Sequence, residues 1–180
     1  MEASGKTSAR SLLTQPLAAH RSERQVRAVQ AQSGSHLVME ECRLLRNNTY
    51  GACAVGASTL ICTACRTENN GGAGFVAAGG SIFKLTECVS EGDRTGVKIL
   101  SAGCELDRVT VKGCAVTGFS ISNAQKKAVL NMCNATVHDS GMRLPLRVWG
   151  SGCEVAVSDS IFDQPQDKAA TDKHCMRLSV

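Results

Sequence analysis

The stretches His36–Leu45 (HLVMEECRLL), Thr59–Glu68 (TLICTACRTE) and Ile82–Glu91 (IFKLTECVSE) lie over one another without a gap. A cysteine holds the seventh place of each, and Cys42, Cys65 and Cys88 are equally spaced along the chain. Five residues earlier stand Leu37, Leu60 and Phe83, and three earlier stand Met39, Cys62 and Leu85. A period of this length marks a stacked repeat, in which a unit buries its apolar face only against its neighbours. Alternation over so few residues means strands rather than helices.

Outward from these stretches the columns continue with small slips in length. The cysteine column is read on as Val109, Cys133 and Ser158. The column three before it continues as Leu106, Leu130 and Val155, and the column five before as Cys104, Ala128 and Cys153. Asn47, Asn70 and Asp93 form a turn column, because these residue types tolerate the left-handed conformation of a tight corner. A glycine column follows (Gly51, Gly74, Gly96, Gly118, Gly141), then a second short strand with inward pairs such as Phe75 and Ala77 or Phe119 and Ile121. In the fifth unit the inward pair is read as Met142 and Leu144, with Pro145–Val148 as an insertion before Trp149.

Two or three short strands and their corners in about 23 residues make one coil of a solenoid whose sheets are parallel. Six coils at roughly 4.8 Å give a prism on the order of 30 Å tall. The pattern apolar-x-x-Cys-x-apolar, turn Asn, then Gly-apolar-x-apolar resembles the right-handed parallel β-helix repeat of the pectate-lyase-like superfamily, over residues 35–162. The expected fold is therefore all-β, a right-handed parallel β-helix of about six coils with a non-repeat N-terminal arm. Its expected parts are residues 1–33 (basic arm), 34–163 (β-helix) and 164–180 (loop and last strand). Within the last part, Met176, Leu178 and Val180 alternate and would supply the second strand of the final coil.

Charge is uneven along the 180 residues. The arm holds five basic residues (Lys6, Arg10, Arg21, Arg24, Arg27) against Glu2 and Glu23, or +3 of the chain's net +4. The remainder is nearly neutral and the whole chain only 3% aromatic, so it has neither the basic surface nor the stacking platforms of a nucleic-acid binder. No apolar run has the length of a signal-peptide core or a membrane span. For the arm three readings stand: a disordered or loosely helical segment, a helix covering the open first coil, or an organelle-targeting segment.

Most of the ten cysteines fall in inward columns, where cysteine behaves as a small hydrophobe. They are read as reduced thiols of an intracellular protein. The alternative is oxidation of stacked pairs, since one rung is within the Cα separation a disulfide permits. Cys62-x-x-Cys65 has no second pair and no suitably spaced His to complete a zinc motif.

Enzymes of the resembled superfamily, pectate lyases and polygalacturonases, use acidic clusters on an outward sheet face, with calcium or a basic residue nearby. The outward column three past the cysteines reads Leu45, Glu68, Glu91, Lys112, Thr136 and Ile161. Glu68 and Glu91 are thus expected one rung apart, near the roughly 5 Å of paired carboxylates in retaining glycosidases. With Asp93 they are the candidate catalytic or calcium-binding residues. The competing reading is a solvated mixed-charge column with Lys112 relieving the glutamates. No catalytic residue, cofactor or metal is assigned.

The function expected from these residues is a non-catalytic interaction or scaffold module. It would dock with other protein subunits of a larger intracellular assembly through the arm and the solenoid ends. The resemblance extends to modules in F-box proteins and cytoskeleton-associated proteins, so a cytoskeletal or axonemal complex, or an organellar ribonucleoprotein, is the expected setting. The alternative is a carbohydrate-active enzyme or polysaccharide-binding protein of the pectate-lyase type.

Overall fold

The computed structural model describes residues 27–123, 127–138, 144–150, 152–162 and 176–178. Short alternating segments form three strands per coil. The first coil is β1 (Arg27–Ala31), β2 (His36–Glu40) and β3 (Arg43–Leu45). The second is β4 (Tyr50–Ala54), β5 (Thr59–Thr63) and β6 (Arg66–Glu68), and the third is β7 (Ala73–Ala78), β8 (Ile82–Thr86) and β9 (Val89–Glu91). The fourth is β10 (Thr95–Leu100), β11 (Gly103–Asp107) and β12 (Thr110–Lys112), and the fifth is β13 (Thr117–Ser122), β14 (Ala128–Cys133) and β15 (Thr136–His138). The sixth is β16 (Leu144–Trp149), β17 (Cys153–Ser158) and β18 (Ser160–Phe162), with β19 (Met176–Leu178) beyond it.

Equivalent strands pair one coil apart. The first sheet runs β1-β4-β7-β10-β13-β16, the second β2-β5-β8-β11-β14-β17, and the third β3-β6-β9-β12-β15-β18-β19. All pairings are parallel except that of β18 with β19. Residues 176–178 therefore cap the edge of the third sheet and do not form the second strand of the last coil. Arg27–Ala31, read from sequence as part of the arm, is the first strand of the solenoid.

Corners between the second and third sheets turn on a left-handed residue: Glu41, Ala64, Glu87, Arg108, Asn134 and Asp159, with φ of 47–55°. Such a conformation is costly for a residue with a Cβ. It is held because the ladder runs through the corner: Glu41, Ala64 and Glu87 N–H groups donate to the Thr63, Thr86 and Asp107 carbonyls, each at 2.9 Å. At the corner after the third sheet the left-handed residues are Arg46, Asn69, Gly92 and Gly113. The column Asn47, Asn70, Asp93 stands one place later. It is buried and points inward, which corrects the reading of it as the left-handed position.

The interior is filled by ladders. Ala52, Phe75, Val97, Phe119 and Leu146 stack on the first sheet. Leu37, Leu60, Phe83, Cys104, Leu130 and Val155 stack on the second. Phe75 meets Phe83 edge to face at 5.9 Å between ring centroids, and Phe119 meets Phe162 at 6.5 Å.

The sequence columns hold through the fourth coil and then slip by two. Thr95 pairs with Thr117 on the first sheet, whereas Gly103 pairs with Val129 on the second, a longer step along the chain. The extra residues enter between Ser122 and Ala128. The neighbour of Val109 is accordingly Ala135, not Cys133, and Cys133 pairs with Asp107. Leu106 meets Met132 and Cys104 meets Leu130. One coil later Thr117 and Phe119 pair with Leu144 and Leu146, which sets Pro145 beside Gly118. Pro145–Val148 is thus strand rather than insertion, and in register with inward Phe119 and Ile121 stand Leu146, packed on the core, and Val148, left 47% exposed at the last coil. Gly141 and Met142 lie outside the described residues.

Candidate functional site

The third sheet presents the predicted outward column as Leu45, Glu68, Glu91, Lys112 and His138, with His138 in the place expected for Thr136. Glu68 and Glu91 do stand one rung apart. They are not a pair of facing acids. Arg66, in the next outward column, pairs with both Glu68 and Glu91. Arg43 reaches Glu68 at 3.3 Å and Lys112 reaches Glu91 at 3.3 Å. The result is one continuous chain, Arg43–Glu68–Arg66–Glu91–Lys112, with three cations against two carboxylates.

This electrostatics works against acid catalysis. Burial is the largest single influence on Glu68 and works to raise its pKa, but the hydrogen bonds and charge of Arg66 and Arg43 together outweigh it and hold the carboxyl below its usual range. A glycosidase general acid needs the opposite shift.

Asp93 is not on this face at all. It is 0% exposed and points into the corner between the third and first sheets. Its Oδ1 accepts the Asn70 backbone N–H at 2.7 Å and Asn70 Nδ2 at 2.8 Å; its Oδ2 accepts the Thr67 and Ser90 hydroxyls at 2.6 Å each. One rung earlier, Asn70 Oδ1 accepts from the Asn47 N–H and from Asn47 Nδ2, both at 2.8 Å. The three residues form a buried side-chain ladder that satisfies corner backbone groups, as buried polar groups require. Gly74 completes the arrangement: a Cβ there would lie 2.3 Å from Thr67 Oγ1 and 2.4 Å from Asp93 Oδ2. The candidate trio is split into an exposed, ion-paired couple and an interior ladder residue.

Cys62 and Cys65 are both buried, Cys62 in the inward ladder of the second sheet and Cys65 at its corner. A hydrogen bond to Cys65 and then burial push the Cys62 and Cys88 thiols up, so both stay protonated. Burial and the nearby Asp93 carboxylate push Cys114 to about 12. None of the nine described cysteines is in a disulfide. Among the described residues no group of three or more His, Cys, Asp or Glu is placed to hold a metal ion.

Sequence reading missed a shallow groove of about 460 Å³ on the second sheet. It crosses β8, β11, β14 and β17, where Ala156 and Ser158 stand one rung beyond the larger Asn131 and Cys133. Of its lining residues, Lys84 and Glu105 form a 2.6 Å ion pair, and Asp107 is held by Arg108 at 2.8 Å. The outward column 84, 105, 131, 156 becomes visible only once the slip after the fourth coil is corrected.

Residues 22–164 match the profile of a protein family described as "Right handed beta helix region". No curated protein matches the chain. No solved structure matches it either.

Proposed function

The chain belongs to the right-handed β-helix family, and from that premise we propose that it is a non-catalytic interaction module. It docks with other protein subunits of a larger intracellular assembly through its N-terminal arm and the ends of the solenoid. The observation that carries this reading is the fate of the candidate acids. Glu68 and Glu91 are neutralised in the chain from Arg43 to Lys112, and Asp93 is used to build the corner.

The ends support docking in their own way. Strands β1, β2 and β3 at one end, and β16 and β17 at the other, have a sheet neighbour on one side only among the described residues. Unpaired edges are templates for strand addition by a partner. Val148 and Trp149 are exposed on β16 at such an edge. Inward thiols suit a reducing compartment, and a cytoskeletal or axonemal complex, or an organellar ribonucleoprotein, is the setting in which we place the module.

The alternative of a carbohydrate-active enzyme or polysaccharide-binding protein keeps one observation, the groove on the second sheet with Glu105 and Asp107. Incubation with polygalacturonate and calcium tests it. The scaffold reading expects no retention on the polymer and no new chain ends. Calcium-dependent binding or cleavage that is lost in Glu105→Gln or Asp107→Asn would overturn it.

A further inference from the structure

The outer face of the first sheet is buried where it has no reason to be. Inward positions of β4 and β7 are Ala52, Ala54, Phe75 and Ala77, so Cys53 and Val76 between them point out of the solenoid. They are nevertheless 1% and 2% exposed. Outward aliphatic residues on the other two sheets are open to solvent: Val38 is 42% exposed, and Ile82 and Ile161 are 48%. Cys53, Ala73 and Val76, with Tyr50 and Val55 packed on them, form an apolar cluster separate from the main core.

Neighbours within the sheet do not account for this. The column runs Gln30, Cys53, Val76, Lys98, Ser120, Arg147. Gln30, Lys98 and Ser120 are half-buried and Arg147 is exposed, so burial peaks on the second and third coils and fades along the sheet. Residues one rung away lie beside a side chain, about 4.8 Å along the sheet, and leave the space above it open. Tyr50 and Val55 pack against the cluster, and burial as complete as that of Cys53 and Val76 calls for a further covering element outside the three sheets.

We propose that this element is the chain's own N-terminal segment, residues 1–26, folded back over the outer face of the first sheet. The chain enters that sheet at Arg27, and β1 is paired directly with β4, which carries Cys53. The segment is long enough: even as a helix it would span about 39 Å, against roughly 14 Å for three rungs. It is also apolar enough, with Leu12, Leu13, Leu17, Ala18 and Ala19 in one stretch. The other undescribed stretches are tied elsewhere: residues 124–126 follow β13, two coils beyond Val76, and residues 179–180 follow β19. Residues 163–175 leave and rejoin the third sheet at β18 and β19, and residues 139–143 join β15 to β16. The inference goes beyond the docking function and does not depend on it, since it concerns a contact within one chain.

Site-resolved alkylation of the native protein with N-ethylmaleimide, read by mass spectrometry, tests the proposal. In the full chain Cys53 should be as protected as Cys104 in the core. Removing residues 1–26 should raise Cys53 labelling by about tenfold or more, because a thiol at the surface no longer waits for local opening, while Cys104 stays protected. If Cys104 is labelled too, the truncated chain has unfolded. The full-length Leu12→Glu, Leu13→Glu, Leu17→Glu variant then decides, with the same expectation. Cys53 protection that survives either change with Cys104 intact overturns the proposal. Protection that survives but is lost on dilution assigns the face to a second copy of the chain, and overturns it as well.

Discussion

Replacing Asp93 by Ala should cost far more than replacing it by Asn. The carboxylate accepts four hydrogen bonds from Asn70, Thr67 and Ser90 and is closed off from water. In Asp93→Ala the two hydroxyls can rotate toward other acceptors, but the Asn70 backbone N–H and one N–H of its side-chain amide lose theirs inside the protein, the amide keeping only the Leu44 carbonyl at 3.2 Å. At about 1–3 kcal/mol for each buried donor left unmade, the loss is on the order of 2–6 kcal/mol. That is a large share of a typical stability of about 5–15 kcal/mol. Asp93→Asn keeps Oδ1 for Asn70 and turns Nδ2 toward two hydroxyls that can accept, so it forfeits mainly the added strength of a charged acceptor, about 1–2 kcal/mol. Urea denaturation followed by circular dichroism measures both, with the slope m checked for constancy. The reasoning is refuted if Asp93→Ala lies within about 1 kcal/mol of wild type, as an exposed residue would. It is refuted equally if the Asn variant is as damaged as the Ala variant.

Other outcomes follow from the same geometry. Phe75→Ala and Phe119→Ala remove fully buried rings and should each cost roughly 3–5 kcal/mol; a urea midpoint close to wild type would place the ring outside the core. Glu68 titrates with a lowered pKa in the folded state, so its contribution is present above the ordinary carboxylate pKa of about 4.3 and is lost as the pH falls through the lowered value. Glu68→Gln should therefore flatten part of the acid-side decline in the urea midpoint, and a decline identical to wild type would contradict the pairing with Arg66 and Arg43. Cys114, pushed to about 12, should resist iodoacetamide in the native state at mildly alkaline pH while reacting in urea; equal rates in both states would show an open site.

The columns around Cys42, Cys65 and Cys88 were legible because inward and outward positions share one spacing, and a single-residue slip would turn every side chain over. From the fifth coil onward the same method misled. Cys133 lies close to one repeat length after Val109 and continues a cysteine column by identity, while the true neighbour, Ala135, carries no such label. An even number of extra residues at a corner leaves no trace in an alternating pattern, since an even shift keeps inward positions inward. The column Asn47, Asn70, Asp93 was legible as a column, but its direction was not. Asparagine both tolerates left-handed corners and stacks into amide ladders, and only the neighbour one rung away separates the two. Glu68 and Glu91 were correctly set side by side. Their neutralisation was hidden because Arg66 belongs to an adjacent outward column two residues away in sequence.

Three forms of the chain, captured from the native source with quantified co-purifying proteins, put the docking claim most directly to the test. Wild type, Glu68→Gln/Glu91→Gln and the chain lacking residues 1–26 should separate cleanly. The account predicts that the double glutamine variant retains the same partners in the same amounts, while the truncated chain, still folded by its protected Cys104, loses them. Partners retained by the truncated chain but lost from the glutamine variant would move binding to the outward face of the third sheet and contradict it.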